Sequence, residues 1–375
     1  MTKKLGFGMM RLPLTEPENF SAIDIPQVEK MVDMFIDRGF TYFDTAYMYH
    51  NHLSECVVRD ALVKRHARNS FTLASKLPTM MLSKEGDQER IFAEQLQKCG
   101  VDYFDYYLLH SLNKANYKTA CRLGSFDFVA QLKKEGKIRH VGFSFHDTAE
   151  LLDEILTAHP EVEFVQLQIN YLDWDNESIQ SRKCYETARR HGKPIVVMEP
   201  VKGGALARVP KEAQMLFENT RQGMSPASWA IRYAASLEGV MMVLSGMSSL
   251  EQLDENTSFM RDFRPLSQDE QRAIEQAVGI INRSIAIPCT ACRYCVEGCP
   301  QHIAIPEYFA LYNADKQSVN QGFSIQQAYY DSYAGTHGKA SACIQCRKCE
   351  RICPQHLPIT EYLKEVATLF EGGVS

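Results

Sequence analysis

TYFDTAYMYHN, residues 41–51, places a short β-rich run, an acid at its end (Asp44) and a tyrosine five positions on (Tyr49) in one stretch. Two further runs of the same kind follow: FTLASK (71–76) ends on Lys76, and YFDYYLLH (103–110) ends on His110. Downstream, IRHVGFS (138–144), FVQLQIN (164–170), PIVVMEP (194–200) and GVMMVLSG (239–246) repeat the pattern, and LGFG (5–8) precedes it, which makes eight. Between them lie segments of helical period. Val28, Met31, Val32, Phe35 and Ile36, ahead of Gly39, follow the i, i+3, i+4 spacing of one apolar face. Helix starts are signalled by a capping box from Asp147 to Glu150, by Ser225 before Pro226, and by Ser267 to Glu270. Near-continuous apolar strands alternating with helices predict an α/β fold with a helix-covered parallel sheet, and eight such units predict a closed (β/α)8 TIM barrel. An open, doubly wound sheet is the alternative, and the lack of GxGxxG in the first βα turn counts against it.

Composition narrows the class. Of 375 residues, 45% are hydrophobic and 23% charged, which excludes intrinsic disorder. The net charge of −5 and the lack of a long basic run argue against nucleic acid as a partner. No segment approaches the roughly 18 apolar residues of a membrane span, and MTKKLGFGMMRLP meets Arg11 before a signal-peptide core can form. A cytoplasmic protein is expected. Twelve cysteines are too many to be incidental there, and eight of them fall after residue 288. That asymmetry predicts a barrel over 1–280 and a second, mainly helical domain over 281–375.

In such barrels the chemistry sits where strands end at the C-terminal face. Singly, Asp44, Tyr49, Lys76 and His110 read as a helix cap, a packed aromatic, a surface charge and a core histidine. Their joint position at three consecutive strand ends points to one site. A phenol titrates at about 10, so a tyrosine donates a proton at neutral pH only if its anion is stabilised. A buried lysine paired with an aspartate supplies that field, and a neutral histidine polarises a carbonyl oxygen. The result is a carbonyl-reduction site without its own hydride source, which implies a nicotinamide cofactor.

Over about residues 1–275 the chain resembles the aldo/keto reductase superfamily. LGFGMMRLP, FDTAYMYHN, LASKL, LLHSL, VGFS, VQLQINY and SGMSSLEQLDEN carry the resemblance. It implies that Tyr49 is the general acid, that Lys76 and Asp44 lower its pKa, and that His110 orients the substrate carbonyl. Ser144 and Gln166 would hold the nicotinamide carboxamide, and Gly246, Ser248, Gln252, Glu255 and Asn256 would line the adenosine end. The chain also departs from the family pattern. Phe145 stands where an Asn usually follows the serine, Met198 where an aromatic commonly stacks, and Gly246 and Gln252 where many members carry cations for the 2′-phosphate. NADP, NAD and a flavin in the same groove all stay open. Ser248 and Ser249 supply either an anion-friendly helix start or plain capping.

Cys289, Cys292, Cys295 and Cys299 follow CxxCxxCxxxCP spacing, and Cys343, Cys346, Cys349 and Cys353 repeat it 54 positions later. The fourth cysteine of each such run typically serves the other cluster. Cys289, Cys292, Cys295 and Cys353 are therefore expected to hold one 4Fe–4S cluster, and Cys343, Cys346, Cys349 and Cys299 a second. Zinc is the competing reading, but three cysteines within seven residues match a cubane corner better than paired zinc ligands. The runs resemble dicluster ferredoxins. The 43 residues between Cys299 and Cys343, with helical patterning in IPEYFALYNADK and SIQQAYYDSYA, bring them closer to the helical kind. His302 and His356 are either surface residues or donors to cluster sulfur, and Cys56, Cys99, Cys121 and Cys184 read as small buried apolar residues.

The leading expectation is an aldo/keto reductase-like oxidoreductase acting on a small carbonyl or alcohol, with clusters passing electrons to or from the barrel or a partner protein. A nicotinamide passes two electrons together and a cluster one, so coupling them needs a flavin or a substrate that tolerates a radical. Two other readings stay open: a redox sensor or interaction module with structural clusters, and an iron–sulfur flavoenzyme.

Overall fold

Eight strands pair in chain order and all run parallel: β1 (Leu5–Gly8), β2 (Tyr42–Asp44), β3 (Thr72–Leu77), β4 (Phe104–Leu112), β5 (Ile138–Phe145), β6 (Phe164–Gln168), β7 (Ile195–Met198) and β8 (Val240–Gly246). β8 pairs back onto β1 and closes the barrel. This is a computed structural model, and it describes residues 3–16, 19–176, 179–316 and 325–372.

The period-two alternation of a strand explains how the barrel builds its site. Tyr42, Ala74, Leu108, Phe164, Val196 and Met242 form one buried apolar cluster. Two residues further along the same strands stand Asp44, Lys76, His110, Gln166, Met198 and Leu244. The site residues therefore occupy the same face as the core layer, one level nearer the C-terminal rim. Gly142 helps fill the lower layer: a Cβ there would lie 2.5 Å from the ring of Phe164, so only glycine lets that ring in.

The helix Ile25–Asp37 begins as expected from its pattern, with Asp24 accepting the Gln27 amide and Val28, Met31, Val32 and Phe35 buried. Helices Pro226–Ser236 and Gln268–Ser284 start where their signals lie. The capping box beginning at Asp147 is corrected by one residue. Thr148 caps the helix Ala149–Ala158, its hydroxyl accepting from the Leu151 amide. Asp147 turns instead to the Lys114 amide at 2.9 Å, where it supports the start of another helix.

The chain divides into two compact units. One holds the eight strands, and the other holds Val201–Ala227, which follows β7, together with the chain from Gln268 onward. The second unit is helical and repeats itself. Its helices Ile305–Lys316 and Ile359–Phe370 begin 54 residues apart. Left-handed backbone at Ala291, Arg293 and His302 recurs 54 residues later at Gln345, Arg347 and His356. The insert is helical over Ile305–Lys316 and Ile325–Ala334, and Ser324 of the expected SIQQAYYDSYA helix lies outside the described residues. Ile287, Ile303, Tyr308, Phe309, Tyr330, Leu363 and Val366 fill this unit's core. Among the described residues no helix is long and apolar enough to cross a membrane.

Candidate active site and cysteine cages

Asp44 ends β2 and Lys76 lies one residue before the end of β3, and both side chains are buried. Lys76 Nζ donates to Asp44 Oδ1 at 2.6 Å and to the Thr45 carbonyl at 2.7 Å. The same ammonium lies 4.9 Å from the centre of the Tyr49 ring, and that ring meets His110 edge-on at 6.0 Å between centroids. The four residues singled out in the sequence are thus brought together. Burial raises the Asp44 carboxyl and lowers the Lys76 amine, and each partner opposes the shift of the other. Burial, then Lys76 and His146, hold His110 well below its ordinary value, so its ring is neutral at pH 7. Its Nδ1 is buried without a hydrogen-bond partner, a polar atom still to be satisfied.

Tyr49 differs from the expectation that Lys76 and Asp44 lower its pKa. Burial, then the charges of Asp44 and Glu199, hold the phenol well above its usual value, and Arg11 opposes them. Lys76 is committed to Asp44 and Thr45, so its field at the phenol is largely cancelled. The phenol keeps its proton in this state. Its loop is held by a left-handed turn at His50, Asn51 and His52. His50 locks that turn: Nε2 accepts from the Leu12 amide at 3.2 Å, which leaves Nδ1 to donate to the Phe20 carbonyl at 2.9 Å.

Arg11 and Glu199 were not legible as site residues. They form a 3.6 Å pair, and Glu199, just past β7, has left-handed backbone and a buried Oε2 without a hydrogen-bond partner. The available signal was a charged residue directly after β7, one position beyond Met198, which holds the rank of Asp44, Lys76 and His110.

Ser144 and Gln166 are register partners on β5 and β6. The Ser144 hydroxyl accepts from the Ser111 amide at 2.7 Å and keeps its own proton for donation. Gln166 donates Nε2 to the Met198 sulfur at 3.5 Å, and its Oε1 is buried without a partner. One hydroxyl donor and one free carboxamide oxygen are a complement for a primary amide, so this end fits a nicotinamide. Phe145 is buried on the opposite strand face, beside Phe143. At the other end, Ser248 donates its hydroxyl to the Arg11 carbonyl at 2.8 Å, and its amide is held by Gln252 Oε1 at 2.8 Å. Ser249 caps the helix Leu250–Arg261. Asn256 is buried and donates to the Ser245 hydroxyl at 3.1 Å, whereas Glu255 is exposed. A Cβ on Gly246 would meet the Arg11 side chain at 3.1 Å.

Among the described residues of the second unit are two hollows, each partly open to solvent, with about 310 Å³ of space not filled by protein atoms, open solvent included. Cys289, Cys292, Cys295 and Cys353 line one, with Ile305, Phe309 and Ile359 among its walls. Cys299, Cys343, Cys346 and Cys349 line the other, with Ile303 and Leu363. The fourth cysteine of each run therefore faces the cavity of the other run. None of the twelve cysteines is joined in a disulfide. Four cysteines lining one hollow in each case fit a multi-iron cluster. His302 and His356 are exposed. Of the four scattered cysteines only Cys99 and Cys184 are buried; Cys56 is half-buried and Cys121 exposed, which corrects the reading of all four as buried.

Lys202 was also missed. It is 2% exposed, has left-handed backbone, and donates Nζ to Gln355 Oε1 at 3.1 Å beside the first cavity. Burial pushes the Cys289 thiol up to about 12, with Lys202 among the groups opposing that rise. At the next residue, Gly203, a side-chain carbon would collide with the Thr290 carbonyl, so the segment lies directly on the loop of the first cage.

Fold and site together define a parallel-barrel oxidoreductase followed by a cysteine-rich helical unit. Residues 4–278 match the Aldo/keto reductase family, and residues 288–357 match the 4Fe-4S dicluster domain. The chain belongs to the aldo/keto reductase family of oxidoreductases and carries a 4Fe–4S dicluster domain behind its barrel. It is similar to aldo-keto reductase str7 of Strobilurus tenacellus, 29% identical over 55% of this chain and 60% of that protein. It is also similar to a probable aldo-keto reductase 1 of Glycine max, 25% identical over 74% of this chain and 86% of that one. Among solved structures, the holo form of aldo-keto reductase AKR11C1 from Bacillus halodurans superposes with a TM-score of 0.58 at 23% identity, over 73% of this chain and 91% of that one. A Klebsiella pneumoniae aldo-keto reductase in complex with NADPH does so with a TM-score of 0.57 at 20% identity, over 73% and 90%. At these identities the two structures speak for the fold.

Proposed function

We propose that this chain reduces a small carbonyl compound, or oxidises the corresponding alcohol, with NADP(H) or NAD(H) bound by residues 1–280, and that residues 281–375 hold two 4Fe–4S clusters that exchange electrons with a partner protein in the cytoplasm. The observation that carries the reading is the buried Lys76–Asp44 pair beneath Tyr49, with a neutral His110 at its edge. When bound, the nicotinamide supplies or accepts the hydride. Ser144 and Gln166 orient its carboxamide through the hydroxyl proton and the free Oε1. Tyr49 holds a proton at its phenolic oxygen for the carbonyl oxygen of the substrate. His110, uncharged, aligns that oxygen without competing for the proton. Lys76, held by Asp44 and the Thr45 carbonyl, packs its ammonium against the Tyr49 ring and fixes the phenol in place, while Arg11 is the cation that opposes the rise in the phenol's pKa. The family resemblance favours NADP. Gln252 and Gly246 offer no cation for a 2′-phosphate, so discrimination from NAD is expected to be modest.

In the second unit, Cys289, Cys292, Cys295 and Cys353 would hold one cluster and Cys343, Cys346, Cys349 and Cys299 the other. Three cysteines within seven residues in each run, completed by the fourth cysteine of the other run, support a cluster over paired zinc ligands. The clusters supply one-electron transfer when assembled.

The test pairs Tyr49→Phe with analysis of anaerobically purified protein. Nucleotide binding should persist in the variant while carbonyl reduction falls by about 10²–10⁴-fold. Iron and sulfide should approach eight of each per chain, two cubanes of four iron and four sulfide. A variant that reduces carbonyls as fast as the parent overturns the catalytic assignment and favours a cofactor-binding sensor. A yellow extractable chromophore shows a flavin in the groove.

A further inference from the structure

The duplication in the second unit acts as an internal standard. Positions 54 apart share backbone conformation and ligand spacing, so folding and cluster ligation do not explain why their exposed residues differ. Around the first cage, positions 290, 294, 297 and 298 carry Thr290, Tyr294, Glu297 and Gly298; the matching positions around the second carry Ile344, Lys348, Arg351 and Ile352. Thr290 is buried under the Lys202–Gly203 segment. Ile344 is 61% exposed and Ile352 53% exposed, although burying such a side chain is worth about 1.5–3 kcal/mol. Lys348 and Arg351 are exposed too. Ile344, Arg347 and Lys348 line the second cavity beside Cys346 and Cys349, and Lys348–Ile352 is one short helix. The acid in that helix offsets one cation. Glu350 accepts at Oε1 from the Thr360 amide at 2.9 Å and hydroxyl at 2.6 Å, and its Oε2 lies 3.7 Å from Arg347 Nε. The chain as a whole is acidic, with net charge −5, so a rim where Lys348 and Arg351 stand beyond that pair, beside two exposed isoleucines, runs against the general trend.

We propose that the rim of the second cage, formed by Ile344, Arg347, Lys348, Arg351 and Ile352, is the docking surface for an acidic one-electron carrier protein. The proposal rests on the reading that the cages hold 4Fe–4S clusters. Basic residues steer an acidic partner to the rim, and the exposed isoleucines supply a small apolar contact. A patch of this size suits the low-area, transient interfaces of electron-transfer partners. In the exchange the reduced carrier loses one electron and the second cluster gains it, or the reverse; no bond or proton moves. The first cage, lying under the Lys202–Gly203 segment, does not take part in docking.

The experiment uses anaerobically purified holoprotein with measured iron and sulfide. Cluster bleaching is followed by stopped flow with a reduced, acidic plant-type ferredoxin, and separately with photoreduced 5-deazaflavin as a small reductant that needs no docking. The ferredoxin rate should fall as salt rises. At low salt it should fall several-fold in Arg351→Glu. Ile352→Ser should slow it at every salt concentration, and both variants, at positions outside the cavity lining, should keep the parental iron, sulfide and deazaflavin rate. Parental ferredoxin rates in the charge-reversed variant, or a rate that does not respond to salt, overturn the docking surface while leaving the clusters standing. A preparation that takes up no iron or sulfide refutes the cluster reading, and the docking proposal with it.

Discussion

Replacing Lys76 by Met should lower the melting temperature of the barrel unit by roughly 10 °C near pH 8 and by less near pH 5. At 2.6 Å and an effective dielectric of about 20, the gross attraction between Lys76 and Asp44 is about 6 kcal/mol. That attraction does not win outright. Asp44 is raised and Lys76 lowered even as partners, with burial the larger cause on both, so desolvation outweighs the pairing. Such a pair adds little net stability, but removing one member strands the other, at about 3–5 kcal/mol. At about 2–4 °C per kcal/mol for a domain of this size, the shift is roughly 10 °C. Both causes that lower Asp44 come from Lys76, so in the variant the carboxyl rises further. A folded-state pKa above the unfolded one means that the folded protein is penalised once the carboxyl must ionise. The deficit is absent below the ordinary carboxylate value of about 3.9 and grows as pH climbs towards the raised value. Calorimetry at pH 5 and pH 8 on the parent, Lys76→Met, Asp44→Asn and the double variant measures both the loss and the coupling. The double variant should melt well above the sum of the single losses. Strict additivity, or a Lys76→Met protein that melts with the parent at both pH values, refutes the reasoning.

Three further outcomes follow from the same geometry. His110 is held neutral, so kcat/KM should show no limb from it between about pH 6 and 8; native stability should be lost as pH falls below about 6.5, where only the unfolded chain takes the proton, and His110→Gln should remove that dependence. An activity limb near pH 6.5 that vanishes in His110→Gln contradicts this. With Gly246 and Gln252 at the positions of family cations, NADPH and NADH should differ in direct binding by less than about a thousandfold, or about 4 kcal/mol; a larger ratio reveals a charged contact elsewhere. Lys202→Met removes a buried cation from beside the first cage, so one of two midpoints in a spectroscopically monitored redox titration should move negative, because the reduced cluster carries more negative charge. Two unmoved midpoints would exclude Lys202 as a tuning charge.

The barrel and its inner-face residues were legible because a strand writes its geometry in consecutive letters. Asp44, Lys76, His110 and Gln166 each stand two residues beyond a core position, Tyr42, Ala74, Leu108 and Phe164, and period-two alternation keeps both on one face. The cysteine spacing and its 54-residue repeat are equally local, and so is the duplicated backbone that follows from them. The one-residue error at the cap was local too: Asp147 and Thr148 can both cap, and only the placement of the Lys114 amide decides that the aspartate turns away. Tertiary closure decided the rest. Tyr49 lies beyond the strand, and its position depends on His50 reaching Leu12 and Phe20. Arg11 and Glu199 meet only because both flank the rim of a closed barrel, at the ends of β1 and β7. Lys202 belongs to the unit that holds the cages although it directly follows the barrel segment ending in Glu199 and Pro200. Periodicity encodes which face a residue takes within its own element, whereas the charge that a group feels is set by residues from other elements, and those are placed only when the chain closes.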